Sequence, residues 1–264
     1  MTISWEQAAI LAVPASAFGL TALSLPMAGR LARRWDCIAM PNQERWHTRP
    51  TPTLGGLAFW PAVLLVVLFA SPDPSKNVSL FIITTAMFAV GMYDDLHHIR
   101  PVTKLICQLI AALSALGFGY RLNVFPWAPF DALLTVTWIV GLTNAVNLLD
   151  NMDGLAAGIG LIAASYLAFL FNRQGDPNAM FTALALAGAL GAFLIHNFHP
   201  ASIFMGDAGS LFLGSLLSLL TIDANGEASN ILSLVAVPTC ILLVPILDTT
   251  LVTMTRLLRG QPIS

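Results

Sequence analysis

Charge is scarce in this sequence. Only 10% of its 264 residues are Asp, Glu, Lys or Arg, against about 25% in a soluble globular domain. So few charges cannot coat a water-facing surface, which excludes a soluble enzyme. A disordered chain needs high charge and low hydrophobicity, and a nucleic-acid binder needs basic excess; both are excluded too. The net charge of −2 selects no partner. Cysteine is equally sparse. Cys37, Cys107 and Cys240 are odd in number and scattered, so they form neither a metal-binding spacing nor a disulfide framework. They read as structural thiols. What is abundant is apolar: 56% hydrophobic residues and a mean hydropathy of +0.76. The sequence reads as an integral membrane protein.

A helical span needs about 20 mostly apolar residues. Nine segments qualify, roughly 7–27, 54–70, 79–93, 105–120, 132–149, 154–171, 180–196, 209–222 and 231–252. The third and eighth are short. All are too continuously apolar for barrel strands, which alternate, so the expected fold is an all-α polytopic bundle of about nine helices. The first is no signal peptide: Glu6 precedes it and Arg30, Arg33 and Arg34 follow it. Basic residues favour cytoplasmic loops. With the N-terminus outside, nine of the twelve basic residues fall inside, leaving Lys76, Arg121 and Arg173 outside. Nine spans then put the C-terminus inside. The outer loops are short, rich in Pro, Asn and Gly, and read as turns.

The acids are distributed less evenly. Three clusters lie at inner ends of apolar segments: Asp94-Asp95, Asp150 with Asp153, and Asp207. Carboxylates at a membrane boundary are costly unless paired, solvated or metal-bound. The loops around Asp150, Asp153 and Asp207 carry no Lys or Arg. A divalent cation is their natural neutralising partner, and hard oxygen ligands favour Mg²⁺ or Mn²⁺. Asn147, Asp150 and Asp153 are spaced by three, which on a helix gives one shared face. Plainer readings stand beside these: a water-facing helix end at Asp94-Asp95, and helix caps at Asp153 and Asp207. Asp248, inside the ninth span, reads slightly better as a packing anchor. The inner loop 40–56 offers Arg45, His47 and Arg49 between prolines and Gly55-Gly56; it suits phosphate, or simply anionic lipid.

At these residues the sequence resembles the polyprenyl-phosphate N-acetylhexosamine-1-phosphate transferases, the glycosyltransferase 4 family. The matching segments run in order across nearly the whole chain. They are Pro41-Asn42…His47…Pro50…Pro52…Gly55-Gly56; Gly91-Met92-Tyr93-Asp94-Asp95 with Lys104 and Gln108; Asn144-Ala145-Val146-Asn147…Asp150…Asp153-Gly154; Asn197…Phe204-Met205-Gly206-Asp207-Ala208-Gly209-Ser210; and Pro245…Asp248. The Pro-Asn…His loop is more like the N-acetylglucosamine branch than the phospho-N-acetylmuramoyl-pentapeptide branch. The family also carries a His-rich inner loop after the ninth span and at least one further span. The sequence ends at Ser264, so the expectation is a single transferase domain, 1–264, lacking those parts.

The resemblance implies transfer of a sugar 1-phosphate from a UDP-N-acetylhexosamine to a polyprenyl phosphate, with release of UMP, on the inner face of a bacterial cytoplasmic membrane. It implies Mg²⁺ on Asp207, with Asp150. Asp94 or Asp95 would deprotonate or orient the lipid phosphate, and Asp150 and Asp153 complete the catalytic set. Asn42, Arg45, His47, Lys104, Asn147, Asn197 and Phe204 would bind substrate, Phe204 by stacking on uracil. A homodimer is left open. Two rivals remain at this stage. An intramembrane prenyltransferase also uses Asp-rich motifs with Mg²⁺, but in an Asp-x-x-x-Asp style absent here. An ion-coupled transporter would place its carboxylates near the bilayer midplane, not at loop ends.

Overall fold

The computed structural model describes residues 5–40, 50–225 and 254–255. Eight helices dominate them: α1 (Trp5–Arg34), α2 (Gly56–Ala70), α3 (Val78–His97), α4 (Pro101–Gly117), α5 (Ala128–Leu149), α6 (Leu155–Gln174), α7 (Pro177–Asn197) and α8 (Gly206–Asn225). A two-residue ladder joins β1 (Ile38–Ala39) to β2 (Thr51–Pro52) in antiparallel register. Turn chemistry sets several boundaries. Pro101 opens α4, His98 closes α3 in the left-handed region, and Gly175 does the same for α6. Asp176 caps α7 by accepting from the Asn178 and Ala179 amides.

Six of the helices are long and apolar enough to cross a membrane. The two shorter apolar helices are Gly56–Ala70 and Pro101–Gly117. This differs from the sequence reading, which marked the third and eighth spans as short. Both of those are 20-residue helices. Their apolar runs look short because polar residues, Asp94, Asp95 and Asp207, form helical turns at their ends. The expected ninth span, 231–252, with Asp248, lies outside the described residues.

Helix α8 is the hub. Leu211, Phe212, Leu213, Leu216 and Leu217 are fully buried, and α2, α3, α5 and α6 pack around it. Its most apolar window is 89% buried, against 22% for α1, which places α8 at the centre and α1 at the edge. A central membrane helix must satisfy its polar atoms internally. Ser215, Ser218 and Thr221 do so by donating to the carbonyls of Phe212, Ser215 and Ser218.

Antiparallel packing gathers the C-terminal ends of α3, α5 and α7 with the N-terminal ends of α2, α4, α6 and α8. The links are specific: Gly55 to Phe204, Lys104 to Asp207, Asn147 to Asp207, and Gly154 to Asn197. At the opposite end, the Asp73 backbone amide donates to the Asn178 side chain and the Gln174 side-chain amide to the Ala224 carbonyl. There the loop before α5 closes on Asp131, which is 3% exposed. Its carboxylate accepts from the amides of Val124 at 2.8 Å, Phe125 at 3.3 Å and Asn123 at 3.3 Å. Removing such an acceptor leaves three part-buried amides without it. Asp131→Ala is expected to cost about 1–2 kcal/mol, read as a lowered Tm in detergent; an unchanged Tm would show that the loop closes without it.

Candidate active site

Three chain segments build the site. The first is the strip Phe204–Ala208, running into the first turn of α8. It lies against the N-terminus of α2: the Phe204 amide donates to the Pro52 carbonyl, and the Gly55 and Gly56 amides donate to Phe204 and Met205 carbonyls at 2.9 Å each. The second is the last turns of α3. The third is the α5 end with the turn that follows it.

The contact between α3 and the strip is backbone-close. A Cβ on Gly91 would stand 2.2 Å from the Asp207 carbonyl oxygen, so only glycine admits this approach. Gly206 has φ of +76°, and a Cβ there would meet the Thr53 carbonyl at 2.0 Å. One turn beyond Gly91, the Asp95 carboxylate accepts from the Asp207 amide at 2.8 Å and the Ala208 amide at 2.9 Å. Asp94 points elsewhere. It accepts from the Ile99 amide at 2.8 Å and pairs with the Lys104 ammonium.

Lys104 also reaches Asp207 Oδ2 at 2.9 Å. One ammonium therefore serves two carboxylates from different helices. The other Asp207 oxygen accepts from Asn147 Nδ2 at 2.5 Å, and the same Asn147 amide donates to Ser210 at 2.8 Å. One turn away, Gln108 and Asn144 exchange a reciprocal amide pair, at 3.1 and 2.7 Å. That pair locks α4 to α5, and so fixes Lys104 relative to Asn147.

Beside them lies a cavity of about 340 Å³. Asp94, Asp95, Asn147, Asp150, Asp153, Phe204 and Asp207 all line it. The three acidic clusters thus converge on one space, with Lys104 paired to two of its carboxylates. Asn42, Arg45 and His47 lie outside the described residues. Asn197 does not line the cavity: it is 2% exposed, accepts from the Gly154 amide and donates to the Ile203 carbonyl. It braces the loop before α8.

The shared helical face expected for Asn147, Asp150 and Asp153 is corrected. Only Asn147 is helical. Helix α5 stops at Leu149, Asp150 is its C-cap, and Gly154, at φ of +72°, turns the chain into α6. Asp153 does not cap α6. It accepts from the Ala201 amide at 3.1 Å and faces His199 Nδ1 at 2.9 Å, tying the α5–α6 turn to the α7–α8 loop. Four lining residues, Asp36, Cys37, Thr53 and His98, carried no motif that singled them out. Burial, then the charges of Asp95 and Asp36, push the Cys37 thiol above its ordinary pKa, which keeps it protonated and poorly nucleophilic.

The Glycosyl transferase family 4 model matches residues 77–225, from the start of α3 to the end of α8. The chain belongs to glycosyl transferase family 4. It is 34% identical to a probable undecaprenyl-phosphate N-acetylglucosaminyl 1-phosphate transferase of Bacillus subtilis, over 90% of this chain and 69% of that protein. It is 32% identical to the decaprenyl-phosphate N-acetylglucosaminephosphotransferase of Mycobacterium leprae, over 92% and 70%. The phospho-N-acetylmuramoyl-pentapeptide-transferase of Enterococcus hirae is 31% identical, over 85% and 78%. The N-acetylglucosamine branch stands ahead, as the Pro-Asn…His loop suggested.

For this glycosyl transferase the donor set bears on a metal. Among the described residues, no three His, Cys, Asp or Glu side chains form a metal-holding group. An all-protein cage is therefore not what these residues build. Mg²⁺, however, takes one or two carboxylates and completes its shell with water and phosphate oxygens. Asp207, with Asp150 lining the same cavity, has the donor chemistry for that mode. The carboxylate paired with Asp207 through Lys104 is that of Asp94.

The seam between α3 and α8 is testable without any substrate. Gly91→Ala forces the Asp207 backbone away and is expected to lower Tm by several degrees, on the scale of about 1–3 kcal/mol for overpacking. An unchanged Tm would contradict the close approach.

Proposed function

We propose that this chain transfers N-acetylglucosamine 1-phosphate from UDP-N-acetylglucosamine to a polyprenyl phosphate. An oxygen of the lipid phosphate attacks the sugar-bearing phosphorus. The bond from that phosphorus to the UMP oxygen breaks, and UMP leaves. The names of the relatives support the substrates. The observation that carries the reading is the Lys104 bridge between Asp94 and Asp207 at a polar cavity by the membrane edge.

Two anionic reactants must meet here, and phosphoryl transfer is mostly positioning and charge neutralisation. Lys104 draws the lipid phosphate by charge. Asp94 lies beside it and is placed to take a proton from that phosphate. Asn147 orients Asp207 through Oδ1. Phe204 offers a ring to the uracil, with Asp150 and Asp153 on the nucleotide side. Asp207 and Asp150, which line the same cavity, would hold Mg²⁺, which when bound supplies positive charge to the diphosphate. The site faces the cytoplasm of a bacterial membrane in this reading. In support, Arg30, Arg33, Arg34, Arg100 and Lys104 gather at the site end, whereas Lys76, Arg121 and Arg173 lie at the other.

The test is a detergent assay with radiolabelled UDP-N-acetylglucosamine and undecaprenyl phosphate. Label is expected to enter lipid with equimolar UMP. Chelation is expected to stop it and added Mg²⁺ to restore it. Asp207→Ala is expected to lower turnover by roughly 10³-fold while the protein stays folded. Wild-type turnover by that variant would remove Asp207 from the mechanism.

A further inference from the structure

We infer that Asp95 is a positioning residue: it caps α8 from the neighbouring helix and thereby aims Asp207, leaving proton transfer to Asp94. The first four amides of a helix have no partner within it. They are usually served by Ser, Thr, Asp or Asn just before the first turn. Here the residues before Asp207 are Phe204, Met205 and Gly206, and none carries a side-chain acceptor. The acceptor comes instead from α3. Asp95 gives one oxygen to the Asp207 amide and the other to the Ala208 amide, a charge-assisted pair of bonds.

The surroundings fit this role. Gly206 leaves room for the carboxylate: a Cβ there would sit 2.8 Å from Asp95 Oδ2. Gly91 lies four residues before Asp95, on the same helix face, and it meets the Asp207 backbone directly. That whole face of α3 is therefore committed to the α8 terminus. Asp94 is about 100° round the helix and turns to Lys104. Two adjacent, chemically identical carboxylates are thus divided by helix geometry. One holds the backbone of Asp207, and the other meets the cation that Asp207 also meets. Fixing the Asp207 backbone at two amides is what lets its oxygens reach Asn147 and Lys104 together.

The catalytic half of this inference rests on the proposed function; the capping half does not. The experiment therefore reads both. Hydrogen–deuterium exchange is followed in a peptide covering Asp207 and Ala208, in wild type, Asp95→Asn and Asp94→Asn. Asp95→Asn keeps one acceptor and is expected to speed exchange in that peptide by about tenfold or more, with peptides from α6 and α7 unchanged. Asp94→Asn is expected to leave it protected. In the transfer assay, Asp95→Asn is expected to raise the half-saturating Mg²⁺ concentration by about tenfold, while kcat at saturating Mg²⁺ stays within about tenfold of wild type. Asp94→Asn is expected to lose kcat by about 10²–10⁴-fold. Unchanged exchange in Asp95→Asn would overturn the cap. Faster exchange combined with a kcat loss above about 10³-fold at saturating Mg²⁺ would overturn the division of roles, because a proton acceptor behaves that way. If wild type transfers no label, the proposed function fails and the exchange data still decide the cap.

Discussion

Two carboxylates and one ammonium set the terms for the rest of the molecule. Asp94, which is buried, and Asp207, which is part-buried, come from different helices and meet. Left alone, they would repel each other and lose hydration. Lys104 stands between them, and a pair of this kind is tolerable only with good geometry and further hydrogen bonds. Those bonds come from Asn147, from the Ile99 amide and, through the backbone, from Asp95. The Gln108–Asn144 pair then keeps the two helices that carry Lys104 and Asn147 in register.

The same arrangement explains why α8 sits at the centre. A helix whose first turn carries a carboxylate shared between Lys104 and Asn147 must be held rigidly. The bundle does this with apolar packing along α8 and with backbone hydrogen bonds at its start. Gly55, Gly56 and Pro52 hold the strip before it, Gly91 presses on it, and Asn197 braces the loop that leads into it. Most of the residues that hold Asp207 in place make no claim on a substrate. They are glycines, backbone amides and one buried asparagine.

Some of this was readable from the residues alone. A membrane bundle follows from scarce charge and repeated apolar runs. The clustering of Asp94, Asp95, Asp150, Asp153 and Asp207 at one end follows from alternating spans. Spacing failed where a turn intervened: Asn147, Asp150 and Asp153 look helical by period, but Gly154 turns the chain in the left-handed region. Hydropathy failed at α3 and α8 because it discounts charged residues that are nevertheless helical. The roles of Asn197 and Asp95 were hidden for a different reason. Each bonds backbone groups of a distant segment, and backbone partners leave no trace in side-chain pattern. Asp36, Cys37, Thr53 and His98 reach the cavity through tertiary packing alone.

The most direct measurement is a double-mutant cycle on thermal unfolding in one detergent, using Lys104→Met, Asp207→Asn and the pair. Lys104→Met leaves two carboxylates facing each other without a counter-charge. Adding Asp207→Asn is expected to restore part of the lost stability, giving a coupling on the order of 1–3 kcal/mol. Strict additivity of the two substitutions would contradict the charge balance on which the site depends.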